Sequence, residues 1–306
     1  MGYPGVLLRS CFRVLLVIGA VCWSVGALGY CRQRSCNDDV PGSPTCERDA
    51  TGCVTEGHEL SYADNCINFA VAHASGAVID LDDAEFEALV RGAFDAWANV
   101  DCGGGEHPGF IAQSAGVVPA EGPEYCPVLG TVNTNVFFFV QNWMLDFATL
   151  GYTHSTFQPN TGIILDADVE LNADYVVNAP SVDRRVLMSA VIKHETGHLL
   201  GLAHSNNPNA VMAATYDPAT ALLPDFTQDD VDAICAAFAP SRRPTACRSP
   251  RVDSAGISPA ACAAKSQPEQ SEAGCALRPK RSAEDWGYAW VVPLIALMAR
   301  RRRPRY

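Results

Sequence analysis

The sequence has no surplus of positive charge: 22 lysines and arginines stand against 34 aspartates and glutamates in 306 residues, a formal net charge of −12. Many of the arginines crowd into the last few positions, so the body is more acidic than the total suggests. A nucleic-acid-binding surface needs the opposite balance, and nucleic acid is not expected as a partner. No phosphate-cradling glycine loop stands out either. Gly103-Gly104-Gly105 follows Cys102 instead of opening a strand-to-helix turn, which reads as a flexible loop. Paired C-x-x-C spacing is missing, which argues against a cysteine zinc cluster despite 13 cysteines. Long apolar runs are lacking as well. The stretches at 14–28 and 286–299 are short for a membrane span, and Pro293 breaks the second.

The first apolar run does have the form of an export signal. Arg9 and Arg13 precede it, and Ala27-Leu28-Gly29 puts small residues where a signal peptidase inspects them. Residues 1–29 are therefore expected to be a signal peptide, with a retained anchor as the alternative. Tyr30, where a lipoprotein signal has a small residue before its cysteine, argues against lipidation at Cys31. Eleven cysteines remain after that cut, a density that fits disulfides in an oxidising compartment. The odd number leaves one over, and Cys275 is the candidate.

The chemistry is concentrated in His194-Glu195-Thr196-Gly197-His198-Leu199-Leu200-Gly201-Leu202-Ala203-His204. On a helix, His194 and His198 leave the same face one turn apart. Glu195 sits beside the first of them, within reach of water at a metal but not of the metal itself. Gly201 allows a turn that brings His204 round as a third ligand. Three protein ligands leave a tetrahedral zinc one open position, the mark of a catalytic site. Met212 follows eight residues later and Tyr216 four after that. Buried histidines that only hydrogen-bond would be the plainer reading, but it has to place three of the chain's seven histidines at these offsets.

From His194 to Tyr216 the segment resembles the metzincin zinc proteases, specifically the matrixin branch. That resemblance implies an α+β fold: a twisted, mostly parallel sheet with an antiparallel edge strand, a zinc helix and a C-terminal helix. It implies one catalytic zinc on His194, His198 and His204, Glu195 as general base, and Met212 as a turn packing its thioether beneath the metal. Ala214, Thr215 and Tyr216 would line the substrate pocket, although matrixins have proline where this chain has Ala214. An extended polypeptide is the implied substrate.

The likeness extends over about 61–240. Ile67-Asn68-Phe69-Ala70-Val71 reads as a first strand, and 80–97 as an amphipathic helix with Asp82, Asp83, Glu85 and Glu87 in its N-terminal turns. Residues 135–141 read as a central strand. Residues 161–172 resemble the strand before the zinc helix, expected at the sheet edge beside the cleft. Asp166 and Asp168 on that strand suit either calcium or solvated acids guarding an edge. Ser181 is the expected N-cap of the zinc helix, and a last helix begins near Thr227.

The ends have their own character. Residues 30–60 read as a cysteine-rich lead that could supply latency, because no propeptide cysteine switch is present. Histidines for a second, structural zinc are lacking too, His154 being the nearest. Residues 241–285 read as a Pro/Ser/Ala/Cys-rich linker. Residues 286–306 join an apolar stretch to a basic end, and with Gly274-Cys275 they resemble the sorting tails of myxobacterial surface proteins. In that family the cysteine is the anchoring point. The tail implies membrane or surface attachment, and the whole chain reads as an exported zinc endopeptidase, extracellular or on a bacterial surface. A zinc-binding adhesion module without turnover, or a zinc amidase acting on cell-wall peptide, are the alternatives.

Overall fold

The computed structural model describes residues 29–36, 45–120, 122–178, 183–215 and 225–265. The expected signal peptide through position 28, Ser181, Tyr216, Cys275 and the C-terminal tail lie outside the described residues.

Five strands make one sheet: β1 (Cys66–Ala72), β2 (Ile111–Val118), β3 (Asn135–Val140), β4 (Gly151–Phe157) and β5 (Ile164–Asn172), in the order β2-β1-β3-β5-β4. All neighbours run parallel except β4, which pairs antiparallel with β5 from Gly151↔Leu171 to Phe157↔Ile164. The fold is mixed α+β, as expected: a mostly parallel sheet with one antiparallel edge strand, accompanied by helices. The strand expected at the edge, 161–172, is interior: β5 pairs with β3 on one side and β4 on the other. The edge belongs to β4, whose sequence Gly-Tyr-Thr-His-Ser-Thr-Phe is too polar to signal a strand.

Period-2 alternation divides the sheet between two apolar layers. Ile67, Phe69 and Val71 of β1, with Phe137 and Phe139 of β3, enter the main core; Ala70, Ala72, Val136 and Phe138 enter a second cluster on the other face. Ile257, inside the stretch read as linker, packs into that second cluster. A sheet buried on both faces explains why β3 reads as an unbroken apolar run. The 241–265 stretch is fixed covalently as well, by Cys66–Cys247 and Cys126–Cys262, and carries a short helix, α5 (Pro259–Lys265). Cys31–Cys53, Cys36–Cys46 and Cys102–Cys235 complete the pairing of ten cysteines.

Helix α1 (Asp83–Ala98) opens on a capping box in which Glu85 N donates to Asp82 Oδ1 (2.8 Å) and Asp82 N to Glu85 Oε2 (3.1 Å). It starts later than its periodicity suggests, because Asp80 lies in the left-handed region (φ 62°) and leaves Leu81 buried ahead of the helix. A short α2 (Ala173–Asn178) follows β5. The zinc-motif helix α3 (Arg184–Leu199) comes next, capped by Asp183, whose carboxylate accepts from Arg185 N (2.8 Å). Helices α1 and α3 pack together, and fully buried Trp97 of α1 donates from Nε1 to Lys193 O of α3 (2.8 Å). Helix α4 (Gln228–Ala237) follows, with Thr227 at its N-cap as the sequence suggests.

Candidate metal centre and cleft

Helical spacing and one turn bring the three histidines together. His194 and His198 stand on α3, and Gly201, at φ 86°, ends the helix in a conformation costly for other residues. His204 then returns toward the helix, so that one ligand nitrogen from each of the three rings lies within 4.8 Å of the others. Ring centroids are 4.7 Å apart for His194–His198 and His198–His204, and 5.3 Å for His194–His204.

The hydrogen bonds behind two of the rings fix which nitrogen faces the centre. His194 Nδ1 is 2.7 Å from Val211 O and His198 Nδ1 is 2.9 Å from Leu202 O. A carbonyl can only accept, so each Nδ1 carries the proton and each Nε2 keeps its lone pair. Burial lowers the pKa of His194, and burial together with the neighbouring His194 and His204 puts His198 well below the usual histidine value. Neutral imidazoles with Nε2 converging are the donor set zinc takes, so the residues fit the metal that the sequence implies. Among the described residues, this is the group of three or more metal-ligating side chains close enough to share an ion.

Glu195 leaves α3 beside the triad, 5% exposed, and accepts from Thr153 Oγ1 of β4 (2.7 Å) through its Oε2. Burial pushes its pKa up to about 7, against the lowering effect of that hydrogen bond. Thr153 also lies 3.3 Å from Glu195 O, so the edge strand grips both ends of this residue. Sequence reasoning missed Thr153, because β4 itself gave no signal.

Met212 packs against α3 at Gly197, where an added Cβ would lie 2.3 Å from its sulfur and 3.0 Å from Trp97. Only glycine lets the turn approach the metal helix so closely. Asp230 of α4 holds that turn from behind. Its carboxylate accepts from Val211 N and Met212 N, both at 3.0 Å, and is 1% exposed. Val211 in turn offers its carbonyl to His194, so Asp230 acts on the first ligand through one peptide unit. In sequence, Asp230 is indistinguishable from its neighbour Asp229; the two look alike as acids in the first turn of a helix.

The triad, Glu195 and Thr153 line an open cleft of about 1130 Å³. One stretch of its lining is β4 from Gly151 to Phe157; others are the triad, Glu195, Ala214, Thr215 and residues of the N-terminal lead. Asp166 and Asp168 are not solvated. They are 3% and 2% exposed, and Asp168 accepts from Glu124 N and Val136 N, both at 2.7 Å. Because β5 is an inner strand, Asp168 ties a loop and the start of β3 to it, while Asp166 Oδ1 is buried without a hydrogen-bond partner among the described residues.

Comparison with known proteins agrees with this geometry. Residues 142–239 match the sequence model of the family described as Matrixin. Over 89 residues the chain is 36% identical to interstitial collagenase of Bos taurus, covering 29% of this chain and 18% of the relative. It is 34% identical over 94 residues to neutrophil collagenase of Homo sapiens, covering 31% and 19%. Matrix metalloproteinase-18 of Xenopus laevis gives 35% over 97 residues, again 31% and 19%. The alignments thus span less than a fifth of these curated relatives. A solved chain described as the GM1 bound form of the ECX AB5 holotoxin superposes with a TM-score of 0.37 at 15% identity, over 61% of this chain and 85% of that one. That likeness is too slight to bear on function. The matched part of the sequence is matrixin-like and of metalloprotease type, and it contains the triad, Glu195, Met212 and Asp230.

Proposed function

We propose that this protein is an exported zinc endopeptidase. The observation that carries the reading is the convergence of His194, His198 and His204 beside a buried glutamate, next to the edge strand of a mixed sheet. Zinc, when held by the three Nε2 atoms, supplies Lewis acidity, which makes water acidic enough to ionise near neutral pH and polarises a peptide carbonyl.

The chain's own residues do the rest. Strand β4 has a sheet neighbour on one side, and its other edge offers main-chain groups to a peptide lying extended along the cleft. Glu195 takes the proton from the attacking water and returns it to the leaving amine, acting as base and then acid. Thr153 holds the carboxylate in place for both transfers. Ala214 and Thr215, which line the cleft, shape the pocket for a substrate side chain; Tyr216 is proposed to join them on the matrixin resemblance alone.

Export is supported by the five disulfides, and among the described residues no helix is long and apolar enough to cross a membrane. The C-terminal tail with Cys275 is proposed to retain the protein at a bacterial surface. The test is digestion of unfolded casein by the purified chain, its loss with a zinc chelator, and its return with added zinc. Zinc binding without cleavage of any denatured protein would favour the adhesion module. Release of cell-wall peptides with casein untouched would favour the amidase.

A further inference from the structure

The cysteine-rich lead lies outside the matched matrixin segment, and its position suggests restraint of the site. Its contacts point to support instead. The stretch from Cys31 to Arg34 runs alongside the loop Gly201–His204, which leads out of α3 to the third histidine. Ala203 N donates to Cys31 O (3.0 Å) and Gln33 N donates to Gly201 O (3.0 Å), with an antiparallel bridge between Arg32 and Leu202. Arg32 adds a side-chain clamp: Nε donates to the same Gly201 O (3.2 Å), and Nη2 donates to Leu60 O (2.6 Å). Its side chain is 9% exposed and lies 3.6 Å from the Glu59 carboxylate.

One further contact joins this clasp to the ligands. Leu202, bridged by Arg32, is the residue whose carbonyl receives His198 Nδ1. The lead is itself anchored from both ends of its hairpin. Cys31–Cys53 ties the clasping segment to the next turn, Leu60 N donates to Gln33 O (2.8 Å), and Ser35 N donates to His58 O (2.8 Å).

We infer that the disulfide-held lead is a positioning element of the metal centre, in which Arg32 and the Cys31–Gln33 backbone hold the Gly201–His204 loop so that His198 and His204 are preorganised for zinc. This rests on the zinc reading above. The Gly201–His204 loop is neither helix nor strand: the end of α3 holds its start, Leu202 N donating to Gly197 O (3.0 Å), and the lead holds its other side. Groups that orient metal ligands from behind typically contribute about 10–100-fold in metal affinity.

The test is zinc affinity, read by competition with a chromogenic chelator, together with the absorption spectrum of the cobalt(II)-substituted protein. The full-length chain is used as exported. Arg32→Met is expected to weaken zinc binding by about 10–100-fold and to alter the cobalt spectrum. Arg32→Lys, which keeps the charge and loses the planar fork, should fall between. Phe110→Leu, a truncation in the core against Phe238, lowers stability elsewhere and should leave both readouts unchanged. If Arg32→Met fails to fold, Arg32→Lys carries the test and is expected to shift the cobalt spectrum and weaken zinc several-fold. Unchanged affinity and spectrum in the folded variants of a zinc-binding chain would overturn the inference alone. A wild-type chain that takes up no zinc would overturn the metal reading, and this inference with it.

Discussion

Replacing Asp230 by alanine should damage the metal centre from a distance. The carboxylate accepts from Thr227 N (2.9 Å) and Thr227 Oγ1 (2.8 Å) within its own helix cap, and from Val211 N and Met212 N (3.0 Å each) across to the Met212 turn. Alanine leaves the two turn amides without an acceptor. A buried unsatisfied donor costs about 1–3 kcal/mol, and partial access of water to a loosened turn trims the sum, so a loss of about 2–4 kcal/mol is expected. For a domain of this size that is roughly 5–15 °C in melting temperature. The turn also supplies the carbonyl that orients His194, so zinc affinity should fall with stability, by about tenfold or more. Asp232→Ala is the matched control, because that carboxylate accepts only an exposed helix-surface bond from Gln228 Nε2 (2.8 Å) and its loss should cost about 0.5 kcal/mol or less. Thermal melts of the zinc-free proteins, followed by chelator competition, read both effects. Equal melting shifts for the two alanine variants, or wild-type zinc affinity in Asp230→Ala, would refute the reasoning.

Further outcomes follow from other contacts. Thr153→Val removes the hydroxyl that fixes Glu195 and keeps the shape of β4; kcat should drop by about 10–100-fold while zinc content stays at the wild-type value, and an unchanged kcat would remove Thr153 from the mechanism. Asp166→Asn tests the buried acids of β5. Burial, with neighbouring Asp168 and Glu124, raises the Asp166 pKa, and burial raises Asp168 as well. A carboxyl that holds its proton more tightly when folded binds more protons in the native than in the unfolded state. Its contribution is therefore most favourable below about pH 4 and is lost as pH climbs through the raised value. Asn keeps the neutral form at every pH, so denaturant unfolding should show it stabilising the protein more at pH 8 than at pH 4. An equal effect at both would contradict the assigned cause.

The metal site was legible in the sequence because its geometry is local. Helical spacing sets His194 against His198, a glycine permits the turn to His204, and all three fall within eleven residues. The central strands 135–140 and 66–72 were legible for a similar reason, since burial on both faces leaves apolar runs. What was hidden depends on partners distant in the chain. The edge strand β4 is polar because one of its sides faces the cleft, and it gave no strand signal, so the edge assignment went to β5, which resembles the strand before the zinc helix. Asp166 and Asp168 look solvated until β3 and β4 flank their strand. Asp230 differs from Asp229 only in which acid turns inward toward residues 211–212. Residues 241–265 have a linker's composition, yet Ile257 and two disulfides fix them over the sheet. The clasp of Arg32 on Gly201 joins positions 169 residues apart, a separation no local pattern encodes.

The central claim is that His194, His198 and His204 hold zinc for hydrolysis in which Glu195 moves the proton. Its most direct test compares zinc content and casein cleavage in the wild-type protein and in Glu195→Gln, which keeps the shape of the side chain and removes its basicity. The account predicts one zinc per chain in both and a loss of about 10²–10⁴-fold in kcat for the variant. A zinc-loaded Glu195→Gln protein that cleaves as fast as wild type would contradict it.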